Sequence, residues 1–369
     1  MTATPVVNKL LDLAGLAIAC NAPQNVIDFQ NKNSWCRDRA GKIVNKQTVA
    51  AFQKLTSRAR ESILNLPPLE QEAISYDVQV PPHKAGEYNA ALESARSLRI
   101  RLETQANGPT AAELQKLMAI LGSLQQFTVS PLLAQLGAAH FKKHPECYER
   151  AAVEEEMGCM HALLRCLCEL QSEGRGQIVV AAAHTSELII ASSFLKKRAP
   201  DLGEHIIYTG ALSQPQRFKA KEIFLHTEKC LLFLSIEAGG TGLHLVPGPE
   251  AMVFCFTSPF APAKVWQCMK RVHRIGQEAP ITGSVKIKHL VPYGSVDASI
   301  RRVHGDKTRL MKMVVDGEGM DETTEAQWKR TGRIVDGALP LCVADGVARA
   351  RRREHDGHAE ADDAGGPPR

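Results

Sequence analysis

The 369-residue sequence contains no CxxC pair, few aromatic residues (5%), and no apolar run near the ~20 residues that a membrane helix needs. Its ten cysteines are scattered, so neither a zinc ribbon nor a disulfide framework is encoded. Reduced thiols in the nucleus or cytoplasm are expected. The one dense group is CMHALLRCLC at 159–168, in which a zinc site would use Cys159, His161, Cys166 and Cys168. Leu163, Leu164, Cys166 and Leu167 instead read as one side of an amphipathic helix, which cannot converge those ligands on one ion, so no metal is expected. LLDLAGLAIAC (10–20) imitates a signal peptide, but Asp12 interrupts it and no cleavage site follows, which predicts a buried helix and no membrane role. Charge of one sign is also scarce: 45 Lys and Arg against 40 Asp and Glu leave +5, which permits a nucleic-acid partner without requiring one.

What is present is ordinary globular material, 44% apolar and 23% charged, long enough for two or three domains. IVVAAA (178–183), HIIYTG (205–210), CLLFLSI (230–236), AMVFCFT (251–257) and VKIKHLV (285–291) are short and almost wholly apolar, as strands buried on both faces are. Helical stretches at 185–198, 213–226 and 262–275 alternate with them. This order predicts an α/β domain with a doubly wound parallel sheet, whose ligands bind at the carboxyl ends of the strands. Residues 1–150 read as mainly helical with one extended piece, AISYDVQVPP (73–82), punctuated by prolines. Beyond about 335 the chain is charged and lacks large apolar residues, which predicts a solvated tail whose Arg349, Arg351, Arg352 and Arg353 could also touch nucleic acid.

Two stretches carry chemistry. SIEAGGTGLHL (235–245) follows a strand, and its closely spaced glycines let backbone N–H groups approach a phosphate. It is neither a dinucleotide fingerprint nor a Walker A loop, and a tight structural turn explains it equally well. QCMKRVHRIGQ (267–277) places Gln267, Arg271 and Arg274 at i, i+4 and i+7, one face of a helix, with Val265, Cys268, Val272 and Ile275 opposite. Two adjacent guanidiniums repel, so an anion is expected between them, and the rigid fork of Arg suits phosphate oxygens. His273 reads either as a nucleotide contact or as a packed structural imidazole. Trp266 reads as a packing anchor, and Lys264 and Lys270 as solvated charges.

AGGTGL followed by Q-x-x-x-R-x-H-R-I-G-Q resembles motifs V and VI of the SNF2 family, the DNA-translocating ATPases of helicase superfamily 2. GALSQPQR (210–217), FAPAKVWQ (260–267) and YGSVDASI (293–300) are similar to further family landmarks in family order. EEEMGCMHALLRCLCELQSEGRGQIVV (154–180) resembles the opening of the family's second lobe. LNLPPLEQEAISYDVQVPPHKAGEY (64–88) and LQQFTVSPLL (124–133) resemble the end of lobe 1 more loosely. The resemblance implies a RecA-like helicase C-terminal lobe over 151–315, preceded by a mainly helical remnant of lobe 1 over 1–150. A brace-like segment and a disordered charged tail would follow over 316–369.

In this family ATP and Mg²⁺ sit between two RecA-like lobes. The resemblance implies Arg271 and Arg274 as arginine fingers on the γ-phosphoryl group. Gln267, Gly239, Gly240 and Gly242 would hold nucleotide. Ser235, Thr241, Gly210, Ser213 and Arg217 would contact the backbone of double-stranded DNA. The sequence has no GxxxxGK[ST], and Asp321-Glu322-Thr323 is no DEAH box. A complementing lobe 1, upstream or in trans, is therefore expected, and no ATP hydrolysis by the chain alone. The competing reading is a catalytically inactive adaptor that keeps the fold and binds DNA or protein. Departures from the family pattern occur at Ala182, Ala183, His184, Thr209, His244, Phe260 and Ala261, and they put normal DNA coupling in doubt.

Overall fold

The structure is a computed structural model that describes residues 66–78, 82–104, 110–154, 158–239, 243–245, 248–275, 277, 282–302 and 304. The expected helix at 10–20 and the charged tail lie outside the described residues. In chain order the elements are β1 (Leu69–Asp77), α1 (Pro82–Thr104), α2 (Ala111–Phe127), α3 (Pro131–Leu136), α4 (Ala138–Lys143), α5 (Glu146–Glu154) and α6 (Gly158–Ser172). They continue with β2 (Gln177–Ala182), α7 (Thr185–Arg198), β3 (Glu204–Tyr208), α8 (Gln214–His226), β4 (Cys230–Ser235) and α9 (Ile236–Gly239). β5 (Ala251–Phe254), α10 (Pro262–Met269) and β6 (Val285–Tyr293) follow, and then a helix, α11, over 296–302. Among the described residues no helix is long and apolar enough to cross a membrane.

The strands form one six-stranded sheet in the order β1-β6-β5-β2-β4-β3, with every pairing parallel. The near-continuous apolar runs are explained by burial on both faces. Along β2, Ile178, Val180 and Ala182 enter one core with α5, α6 and α7, while Val179 and Ala181 enter the other with α8, α9 and α10. Cys159 and Cys166 are buried on α6 against the first core, and Cys168 is exposed. This is the α/β, RecA-like arrangement expected, with a helical region before its central strands.

One boundary differs from expectation. Residues 69–77 were assigned to the remnant of lobe 1, but all nine pair with β6, from Leu69 opposite Val285 to Asp77 opposite Tyr293. The lobe's sheet therefore extends upstream of residue 151. β1 is an edge strand, mostly exposed, whose Glu70 and Glu72 face Lys286 (3.8 Å) and Lys288 (3.5 Å) on its neighbour. Acidic residues along an outer strand leave it poorly suited to recruiting another strand. Between β1 and α3, α1 and α2 pack through Tyr88, Leu92, Leu121, Leu124 and Phe127 onto Val296 and Ile300 of α11. Thr110 and Glu113 form a capping box that starts α2.

Candidate nucleotide and nucleic-acid site

β2 has β4 on one side and β5 on the other; the chain leaves β2 toward β3 at one edge and leaves the adjacent β4 the opposite way, toward β5. This switch point is where parallel sheets open a crevice for ligands. The glycine-rich stretch leaves β4 here. Ser235 is 6% exposed, and its hydroxyl accepts a hydrogen bond from the Ala238 amide at 3.3 Å, so it secures the first turn of α9. Gly239 ends that helix. A Cβ there would lie 2.7 Å from Leu234 Cδ2 and 3.3 Å from Cys268 Sγ, so glycine lets the turn press against α10. Gly240, Thr241 and Gly242 lie outside the described residues, and the chain resumes at Leu243, which is buried.

Arg271 reaches both flanks of that stretch. Its Nε donates to the Gly239 carbonyl at 2.9 Å and its Nη1 to the Leu243 carbonyl at 3.2 Å. The guanidinium thus clasps the two ends of the glycine segment. Burial, and secondarily the nearby positive charge of Arg274, push the Arg271 guanidinium below its ordinary value. Arg274 is exposed beside it. The pair is a concentration of positive charge at the mouth of the switch point, which an anion would relieve.

The helix carrying these residues is shorter than its periodicity predicts. α10 stops at Met269, and Arg271 N–H, Val272 N–H and His273 N–H turn back to the carbonyls of Cys268, Met269 and Met269, each at 3.0 Å. The expected single face of Gln267, Arg271 and Arg274 therefore does not form as a helical row, and Ile275, expected on the packed face, is 56% exposed. The cause is an anchor distant in sequence. His273 is buried, with Nε2 3.0 Å from the Pro67 carbonyl and Nδ1 3.3 Å from Lys270 Nζ. A carbonyl accepts and an ammonium donates, so Nε2 carries the proton and the imidazole is a neutral strut. The packed reading of His273 is the one the geometry favours.

Gln267 lies half-buried on α10, one turn before the clasp. Gln277 is buried and donates to the Pro249 carbonyl at 2.8 Å. Lys264 is a surface charge that also pairs with exposed Glu237, linking α10 to α9 and holding the Glu237 carboxyl below the usual range. After the edge strand β3, the turn into α8 brings Gly210, Ser213 and Arg217 together. Arg217 Nη2 donates to the Gly210 carbonyl at 2.9 Å, and the Ser213 amide and hydroxyl both donate to Gln216 Oε1, at 2.9 and 3.0 Å, opening α8.

A second polar group was not foreseen. Asp297 is wholly buried; its Oδ1 accepts from Gln125 Nε2 at 2.7 Å and from the Ser258 amide at 2.8 Å. Gln125 also donates to the Ser258 carbonyl at 3.0 Å, so this node joins α2 to the end of the sheet. Burial pushes the Asp297 carboxyl up to about 6. Nearby, Glu187 accepts from Thr257 Oγ1 at 2.6 Å, and burial raises its carboxyl well above the usual range, with Asp297 adding to the shift. Asp297 and Gln125 lie in the stretches YGSVDASI and LQQFTVSPLL noted above, but isolated polar residues inside α2, α7 and α11 read as solvent-facing, so their pairing is not legible.

Among the described residues no group of three or more His, Cys, Asp or Glu is placed to hold a metal ion. The described part of the site carries two arginines, Arg271 and Arg274, side by side.

A parallel sheet with a glycine turn at its switch point and an arginine clasp arriving from the next helix defines a helicase-type RecA-like lobe. Residues 160–276 match the family model described as "Helicase conserved C-terminal domain", and β1 and β6 extend the sheet beyond that match. The chain is 31% identical over 185 residues to DNA repair protein RAD5 of Candida glabrata, covering 48% of this chain and 15% of that protein. It is 29% identical over 166 residues to a DNA repair and recombination protein RAD54-like of Drosophila pseudoobscura, covering 44% and 20%. Its fold is similar to the Sulfolobus solfataricus SWI2/SNF2 ATPase core in complex with dsDNA, with a TM-score of 0.51 at 17% identity, covering 80% of this chain and 56% of that one. The helicase C-terminal domain and these repair-protein relatives support an SNF2-family helicase C-terminal lobe over this part of the chain. The matched region spans a fifth or less of the length of these two sequence relatives.

Proposed function

We propose that this chain supplies the second lobe of an SNF2-type, ATP-dependent DNA translocase or chromatin remodeller, working in the nucleus or cytoplasm. A lobe 1, upstream or in trans, would carry the Walker A lysine and DEAH carboxylate, for which this sequence has no counterpart. The observation that carries the reading is the Arg271 clasp on the Gly239 and Leu243 carbonyls, with exposed Arg274 beside it. Arg271 would fix the glycine stretch, while exposed Arg274 would swing onto a phosphoryl group. Bound ATP with Mg²⁺ would supply the phosphoryl group to be transferred to water, the metal resting on lobe 1. On this chain the arginines would stabilise the negative charge that grows on the transferring oxygens. Gly210, Ser213 and Arg217, with Thr241 and the glycine amides, would follow the DNA backbone, in line with the duplex-bound SWI2/SNF2 structure that shares the fold.

The test is reconstitution with a family lobe 1. The chain alone should show no DNA-stimulated ATP hydrolysis. With lobe 1, Arg274→Ala should lower the rate about 10³-fold or more. A DNA-dependent rate from the isolated chain that Arg274→Ala abolishes would refute the division of labour between lobes. An unaltered rate in the reconstituted Arg274→Ala protein would favour the non-catalytic adaptor, which the occupied Arg271 donors also fit.

A further inference from the structure

Phe218 lies on α8, one residue beyond Arg217, and is 65% exposed, the most exposed large apolar side chain among the described residues. An isolated Phe on a soluble surface is unremarkable by itself. Its surroundings are not. Arg217, Lys219 and Lys221 flank it in sequence, and Lys221 Nζ lies 5.8 Å from the centroid of its ring. No acidic residue occurs between Gly210 and Lys221; the first is Glu222, which pairs with Lys221 at 3.3 Å and with His226 at 3.5 Å. Arg217 is half-buried beside Phe218, with Nη2 donating to the Gly210 carbonyl at 2.9 Å. Among the described residues no other exposed large apolar side chain lies on α8.

We infer that Phe218 is a stacking platform for an unpaired nucleobase, set beside the phosphate-contacting residues Gly210, Ser213 and Arg217. An aromatic ring among cations is how proteins hold single-stranded nucleic acid without reading its sequence, the cations on the backbone and the ring on the base face. The position implies that the lobe senses the point where a duplex meets unpaired bases, such as a gap or fork, as well as the duplex itself. The inference rests on the proposal that this surface binds DNA.

The experiment uses the full chain and two fluorescein-labelled DNAs, a blunt duplex and the same duplex ending in a short single-stranded arm, measured by anisotropy at fixed salt. A third DNA carries 2-aminopurine at the first unpaired position. Wild type should bind the armed DNA more tightly and quench the 2-aminopurine. Phe218→Ala should weaken binding to the armed DNA about tenfold, leave duplex binding within about twofold, and remove the quench. Phe218→Trp should restore both. Equal binding of the two DNAs by wild type, or a Phe218→Ala protein that keeps its preference, would overturn the stacking role while leaving the duplex reading standing. Failure of wild type to bind either DNA would overturn both. As a surface residue Phe218 tolerates these changes, and circular dichroism of each variant confirms folding.

Discussion

The carboxyl edge of the sheet holds two polar clusters that solve the same problem in opposite ways. Around β2, β4 and β5, the arginines meet backbone carbonyls and one of them stays open to solvent. Near α2 and α11, Gln125, Ser258 and Asp297 close on one another in the interior. The first cluster leaves positive charge facing outward; the second turns its bonds inward and holds two parts of the chain together, although Asp297 Oδ2 is buried without a partner. Polar density at strand ends is therefore not evidence of a ligand site by itself. Residual charge facing an opening is what separates a binding site from a joint.

The comparison breaks first at the joint. Asp297→Ala removes the acceptor for two buried donors, and unpaired buried donors are costly. A destabilisation of about 3 kcal/mol is expected in denaturant unfolding. A loss below about 1 kcal/mol would mean that the node is not closed. Asp297→Asn keeps Oδ1 and both accepted bonds, so its effect should have the opposite sign near neutral pH. The folded carboxyl titrates near 6 against an ordinary 3.8, so the folded state holds its proton where the unfolded state has released it. That contribution is complete below 3.8 and is lost as pH rises through about 6. Glu187 acts in the same direction, while His289, lowered to about 3 chiefly by burial, opposes it as pH falls below its ordinary 6.5. Stability of Asp297→Asn relative to wild type should therefore rise by about 2 kcal/mol between pH 4 and 7. A flat difference would show that Asp297 is not buried as a carboxyl.

At the open cluster the effects are smaller. Arg271→Ala releases the Gly239 and Leu243 carbonyls, and a loss of about 1–2 kcal/mol is expected because the guanidinium is only partly buried. Arg271→Lys should recover little, since one ammonium cannot span both carbonyls as a fork does. Hydrogen exchange at the Leu243 amide should quicken in both variants. Full protection in Arg271→Ala would show that the clasp does not order the glycine stretch.

The strands were legible because burial on both faces writes unbroken apolar runs, and the end of α7 was marked by Lys196, Lys197 and Arg198 in its last turn. The end of α10 was not. Its apolar periodicity continues to Ile275, and only the contact between His273 and Pro67, more than two hundred residues away in sequence, turns the chain aside. The membership of β1 was hidden for a similar reason. An exposed edge strand with alternating charges looks like a connector until its neighbour's lysines are seen beside it. The family motifs located the glycine stretch and the arginines, but their row on one helical face belonged to the sequence pattern, and the clasp belongs to tertiary structure. Asp297 and Gln125 both lie in stretches with a family resemblance, YGSVDASI and LQQFTVSPLL, but nothing local shows that the two meet in the interior.

The smallest expected effect sharpens the distinction most. Arg274 is exposed, and no hydrogen bond or ion pair links it to another described residue. Its removal should leave the unfolding midpoint where it is. Loss of its charge should also raise the Arg271 guanidinium toward its ordinary value, because the second cause of that depression disappears. Arg274→Ala should therefore be stability-neutral or slightly favourable, while the reconstituted two-lobe enzyme loses turnover. A residue whose deletion costs function without costing stability is one whose interactions are reserved for a ligand. If Arg274→Ala instead lowered the midpoint as far as Arg271→Ala does, the open cluster would be a second joint, and the contrast between the two ends of the sheet edge would be lost.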